Sequence, residues 1–221
     1  MIVKERKTPL ILKKLEALLR RLPSNHPARY KIESDFMKMK AGFTGEKKID
    51  FYLELLPKDE FSILHNIRLK NEENHFFQID TLLLTCNYIL ILEVKNILGN
   101  IIFEKDFNQF IRIHDDKEEN FPNPILQVNR QQKHLQTFLQ KLKLVVPPIY
   151  SFILISNSSS VIKTTLRNNK ILENVFHTEL LPLKVQKLNE IVEKQSLSSN
   201  QIKKISKALL KYHVSLNPNV F

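Results

Sequence analysis

"QIDTLLLTCNYILILEVKN", residues 78–96, contains two almost unbroken apolar runs separated by a short polar break. Runs of this length and composition read as buried β-strands, and the break as a tight turn. The strands also carry Asp80, Glu93 and Lys95, which strands buried on both faces normally avoid. With the turn centred on Cys86-Asn87, where Asn tolerates positive φ, antiparallel pairing joins residues whose numbers sum to 173. Asp80 then faces Glu93, and Gln78 faces Lys95. A symmetric four-residue loop keeps this register, whereas a three-residue loop slips it by one. Directly opposed residues hold their Cβ atoms about 5 Å apart on one face, and Lys95, two residues past Glu93, returns to that face.

Two carboxylates set side by side in an apolar sheet do not both ionise unaided. A divalent cation is the natural remedy, and all-oxygen ligands suit Mg²⁺ or Mn²⁺ over zinc. The competing reading is an ordinary ion pair between Lys95 and one carboxylate. For an isolated Glu-x-Lys that reading wins. For Asp-x12-Glu-x-Lys in matched register on apolar strands, the site is favoured.

Around this hairpin the chain alternates its periodicity. Residues 8–22 show helical spacing with a basic outer face. A second helix is expected from Ala28 to Lys40. Gly42 and Gly45 then frame a turn, and a third helix runs to Leu56, stopped by Pro57. Residues 61–69, "NIIFE" and "QFIRIHD" read as strands. "FPNPILQVNRQQKHLQTFLQKLKL" is a helix with Asn123 as N-cap and Pro124 in its first position. "PIYSFILIS" and "NVFHT" read as further strands, and helices are expected over 179–195 and 199–213. This order predicts an α/β or α+β fold with one central mixed sheet flanked by helices. The expected organisation is an N-terminal helical segment over 1–41, a core over 42–178 and a basic helical segment over 179–221.

The formal net charge of +11 points to a polyanionic partner, nucleic acid ahead of an acidic membrane surface. From Lys141 onward there are 12 Lys and Arg against 4 Glu and no Asp, so +8 of that charge lies in the last third. One cysteine, Cys86, excludes an intrachain disulfide and a cysteine zinc site, and fits a reducing cytoplasm. No apolar run reaches the roughly 18 residues of a membrane span. With 3 glycines in the chain, a phosphate-cradling P-loop is excluded, and the histidines form no HExxH pattern.

"GFTGEKK" at 42–48, "FFQIDTLLL" at 76–84, "ILILEVKNILGNI" at 89–101 and "NPILQ" at 123–127 together resemble the nuclease-related domain (NERD) family of the PD-(D/E)xK nuclease superfamily. The resemblance implies a restriction-endonuclease-like core and metal-dependent phosphodiester cleavage. It maps the catalytic positions to Glu46, Asp80, Glu93, Lys95 and Gln127. Asp80, Glu93, the Val94 carbonyl and Glu46 would hold Mg²⁺ or Mn²⁺, with Lys95 orienting the attacking water.

The residues themselves support part of this. Glu46 lies at the edge of the stripe Ile49, Leu53, Leu56 and so points toward the sheet, although a first-turn Glu favoured by the helix dipole reads the same way. Gln131 and His134 continue the face of Gln127 and read as an ordinary polar helix surface. Candidate contacts to nucleic acid, most simply DNA, are Gln78 on the hairpin, Arg130 and Lys133 near the start of a helix, and Lys203, Lys204 and Lys207 on the last helix. The rival reading is a nuclease-like fold that binds nucleic acid without cutting it.

Overall fold

The apolar strands of the opening stretch become the centre of a six-stranded sheet. In the computed structural model, residues 1–71, 73–104, 106–165, 173–192 and 197–218 are described. The elements in chain order are β1 (Ile2–Lys4), α1 (Leu10–Arg21), α2 (Arg29–Glu54), β2 (Ser62–Lys70), β3 (Phe76–Leu84), β4 (Ile89–Lys95), β5 (Asn100–Phe103), β6 (Phe110–His114) and β7 (Lys117–Phe121). They continue with α3 (Pro124–Lys141), β8 (Ile149–Ile155), β9 (Val161–Thr164), β10 (Val175–His177), α4 (Leu181–Ile191) and α5 (Ser199–Tyr212).

The main sheet has the order β1-β2-β3-β4-β8-β10. β2, β3 and β4 form an antiparallel meander, while β1 joins β2, and β8 joins β4 and β10, in parallel. Both faces are covered. Leu90, Leu92 and Val94 of β4 pack with Ile49 and Leu53 of α2 and with Leu181, Val185 and Leu188 of α4. Ile89 and Ile91 pack on the other face with Leu135 and Leu139 of α3 and Ile205 and Leu209 of α5. Burial on both sides explains why these strands lack polar alternation.

A second, four-stranded sheet, β7-β6-β5-β9, departs from the single sheet expected. Ile101, Phe103 and Phe110 seat it against Val128 of α3 and Ile153 and Ile155 of β8. Its β6–β7 turn uses Asp115 and Asp116, both at positive φ, the conformation a two-residue hairpin needs. β7 itself is almost wholly exposed and has no apolar alternation to betray it.

Two other expectations are corrected. α2 runs unbroken through residues 41–45, where Gly42 and Gly45 predict a turn. Gly45 serves close packing instead: a Cβ there would lie 2.5 Å from the Asn96 Cβ and 2.6 Å from the Ser156 Oγ. The turn after β3 is built differently from the one expected, because neither Cys86 nor Asn87 has positive φ. The Thr85 hydroxyl accepts from the Asn87 and Tyr88 amides at 3.1 and 2.9 Å and donates to the Tyr88 carbonyl. α1 begins and ends within two residues of expectation; α3 begins at Pro124 as expected and ends three residues early, at Lys141, and the Asn123 cap accepts from the Ile125 amide. The 179–195 helix is seen over Leu181–Ile191; residues 193–196 lie outside the described residues.

Candidate active site

The hairpin has the expected register over four pairs, from Leu84–Ile89 to Thr81–Leu92. It then stops. Asp80 and Glu93 are not a ladder pair, which corrects the direct cross-strand facing derived from the sequence. The reason lies in β2. The β2–β3 ladder passes from His65–Thr81 to Ile67–Ile79, with Asn66 and Asp80 between. Asn66 has φ +50°, a left-handed conformation inside a strand. On either side of it the alternation slips by one residue. Leu64 and Ile67 face the same core cluster, as do Leu82 and Ile79. Beyond this slip β3 no longer pairs with β4, and the two strands form a fork. Such backbone strain in a non-glycine residue concentrates at functional sites.

Asp80 sits in the fork. Its Oδ2 accepts from the Val94 amide at 3.1 Å, bridging the gap that the ladder leaves. Thus Val94 contributes its N–H to the cluster, to orient Asp80. Burial, then the charges of Glu93 and Glu46, push the Asp80 carboxyl well above the ordinary carboxylate range, against the opposing pull of the Val94 amide and Lys95.

Glu93 approaches from the α3 side and is 2% exposed. Its Oε1 accepts from Lys95 Nζ at 2.8 Å and Gln127 Nε2 at 2.7 Å; its Oε2 accepts from Gln131 Nε2 at 2.9 Å. Lys95 also donates to Gln127 Oε1 at 3.0 Å, so Gln127 orients both members of the Glu-x-Lys pair. Gln131, read from sequence as surface, is buried. It also donates to the Gln78 carbonyl at 2.9 Å, while its own Oε1 is buried without a partner.

Glu46 approaches from the opposite face. Gly45 allows α2 to cross close to the ends of β4 and β8, and the next residue therefore reaches the fork. Arg6, which sequence reasoning missed, holds Glu46: Nη1 donates to Glu46 Oε2 at 2.8 Å, and the same guanidinium donates to Asp50 and Thr81 and contacts His65 Nδ1 at 2.9 Å. The Arg6 side chain is 4% exposed. With its amide nitrogen turned toward the two acceptors, Asn66 donates to Glu46 Oε2 and to the Asp80 carbonyl. Burial raises the Glu46 pKa and Arg6 opposes that rise. Burial, Arg6 and Lys4 drive the His65 pKa down to about 3, leaving a neutral ring that can accept from Arg6. Lys4 in turn donates to the carbonyls of His65 and Asn66 at 2.6 and 3.1 Å, at the strained position.

The structure therefore brings together Glu46, Asp80, Glu93, Lys95, Gln127 and the Gln78 backbone, and adds Arg6, Asn66 and Gln131. The cluster lies at the carboxyl ends of the parallel pair β4 and β8, where open α/β sheets bind ligands. Arg130 and Lys133 are exposed on α3, and Lys203, Lys204 and Lys207 are exposed on α5. Among the described residues, no group of three or more His, Cys, Asp and Glu is drawn tightly enough to enclose a metal ion.

The sequence model of the family described as "Nuclease-related domain" matches residues 41–156, just over half of the chain. None of the curated proteins and none of the solved structures matches it. Among the described residues, no helix is long and apolar enough to cross a membrane.

Proposed function

The chain belongs to the nuclease-related domain family, and on that premise we propose that it is a metal-dependent nuclease hydrolysing phosphodiester bonds of nucleic acid, DNA first. The observation that carries this reading is the charge count at the fork. Glu46, Asp80 and Glu93 lie within one another's electrostatic reach, Asp50 shares Arg6 with Glu46, and among the described residues only Lys95 and Arg6 are positive among their hydrogen-bonding partners. Buried carboxylates in excess of their cations are stable only when protonated or when a further cation joins them.

The donor set is all oxygen, the chemistry a hard divalent ion prefers, and the carboxylates would draw closer around such an ion than they stand without it. Asp80, Glu93 and Glu46 would hold Mg²⁺ or Mn²⁺, the Val94 carbonyl with them. A bound ion supplies Lewis acidity toward a phosphoryl oxygen and a lowered pKa for water.

The chain's own residues do the rest. Gln127 fixes the Lys95 ammonium, a donor fitted to orient a water and to meet negative charge as it develops on the phosphate. Gln131 and the Val94 amide fix the orientations of Glu93 and Asp80. Arg6 fixes Glu46 on the far side. The exposed lysines of α5 add a screened, salt-dependent attraction for the backbone.

A second reading is favoured by one specific feature. Both Glu93 oxygens are already engaged by side chains, and Glu46 is paired with Arg6. A network closed in this way fits a module that grips nucleic acid without cutting it. Cleavage of labelled DNA with EDTA, Mg²⁺ or Mn²⁺ separates the two. The nuclease reading expects divalent-dependent cleavage that Asp80→Asn abolishes while affinity stays level or rises. Tight binding with no cleavage under any metal supports the second.

A further inference from the structure

α1 and α2 pack side by side and leave a groove between them, a cavity of about 530 Å³ on the face of α2 turned away from the sheet. Four lysines line it, Lys13 from α1 and Lys40, Lys47 and Lys48 from α2, against one acid, Glu16. Two phenylalanines, Phe36 and Phe43, sit among them on α2, each only partly buried. Lys40, Phe43 and Lys47 follow at three- and four-residue intervals, so they share one helix face. The Lys40 ammonium lies 5.6 Å from the Phe36 ring centroid. Positive charge alternating with aromatic faces is the arrangement that holds unpaired bases and their phosphates.

Along the chain the groove borders the candidate active site: Lys47 follows Glu46 directly, and Thr8, at the α1 rim, stands two residues from Arg6, which is bonded to Glu46 at 2.8 Å. Stacking on these rings needs bases free of their pairing partners, which a single strand offers and a duplex does not.

We infer that the α1–α2 groove binds single-stranded nucleic acid. The inference goes beyond the nuclease reading and does not depend on cleavage. None of the groove residues is among the contacts expected from the sequence, which lie on β3, α3 and α5.

The test uses the full chain in EDTA, with a fluorescein-labelled oligothymidine and a duplex of equal length, read by anisotropy across a salt series. Lys40→Ala/Lys47→Ala should weaken oligothymidine binding at least tenfold and reduce the log–log salt slope by about 1.4, at roughly 0.7 per phosphate contact on a single strand. Phe43→Leu, which keeps an apolar side chain, should weaken it about fivefold or more, since one stacked base contributes about 1–3 kcal/mol. Lys203→Ala/Lys207→Ala on α5 should change oligothymidine binding less than the groove pair does. Circular dichroism and melting confirm that each variant is folded.

Unchanged oligothymidine affinity in the groove variants overturns the proposal. So does an equal or greater loss from the α5 pair, or an equal loss for the duplex. Because no metal is present, failure here is distinct from failure of cleavage: a chain that binds through the groove but never cuts retains this inference and loses the nuclease reading.

Discussion

The two walls of the fork solve one electrostatic problem in different ways. On the α3 wall, Glu93 is 2% exposed and is held by Lys95, two residues away, and by Gln127 and Gln131 on one helix. On the α2 wall, Glu46 is 18% exposed and is held by Arg6, which arrives from before the first helix. The first wall is a local unit: a strand, a helix and a fixed spacing. The second is assembled from segments that have no sequence relation to one another. The difference teaches where a short motif ends. The Glu-x-Lys pattern marks the ion pair of one wall and says nothing of the cation on the other.

Breaking the Arg6 wall should have the largest effect on stability. Arg6→Met removes the donor to Glu46, Asp50 and Thr81 together. Loss of one partner from a buried pair costs about 3–5 kcal/mol, and urea denaturation at neutral pH should show a loss in this range. If Arg6→Met melts like the parent, the wall is held by something other than its arginine.

The Lys95 wall should be less fragile, because Gln127 and Gln131 go on donating to Glu93. Lys95→Met is expected to lose about 3 kcal/mol or less, and Lys95→Met/Glu93→Gln should recover most of it. Single-turnover cleavage by the folded variant should fall about 10²- to 10³-fold, with binding retained. Cleavage at the parental rate would remove the lysine from the chemistry.

Gly45 tests the link between the walls. Gly45→Ala places a methyl group against Asn96 and Ser156, and overpacking of this kind costs about 1–3 kcal/mol. Because the helix must lift to relieve it, Glu46 should be displaced from the fork. A variant as stable as the parent would show that α2 has slack there.

The smallest effect has the opposite sign. The folded-state pKa of Asp80 lies above its ordinary value near 3.8, so in the metal-free protein the ionised form opposes folding. Its contribution to stability is intact below the unfolded pKa and is lost as pH rises through the folded value. Asp80→Asn should therefore melt slightly higher than the parent in EDTA, by a margin that grows as pH rises from about 4. Adding Mn²⁺ should raise the parent's melting temperature and not the variant's. An equal response of both proteins to Mn²⁺ would place the ion away from Asp80.

What sequence reading could reach follows from these walls. Apolar strands, the Asn123–Pro124 cap and the hairpin register over its four pairs next to the turn depend on neighbours in the chain and are legible; the pairing of Asp80 with Glu93 beyond them is not. The α3 wall inherits that legibility, except for Gln131. Its burial depends on how far α3 tilts onto the sheet, and a glutamine on a polar-looking stripe carries no mark of that. β1 is three residues long, too short for any periodicity, and so Arg6 had no element to stand on. Gly45 was visible but misread: a glycine needed for a turn and one needed for close approach look alike in sequence. Asn66 gave no signal, because the left-handed kink in β2 and the end of the β3–β4 ladder exist only between strands.

The parallel pairing of β1 with β2 also has a kinetic consequence. The partners of Glu93 lie 2, 34 and 38 residues from it in the chain, whereas Arg6 bonds to groups 40, 44, 59 and 75 residues away. Contacts of long sequence separation incur their loop-closure entropy before they are rewarded. The hairpin and α3 can form their half of the fork while β1 is still undocked, and the arginine closes it last. A contact made after the folding barrier acts on unfolding alone, so the penalty of Arg6→Met should appear as a faster unfolding limb of the chevron with refolding unchanged. A slowed refolding limb would place β1 in the nucleus instead.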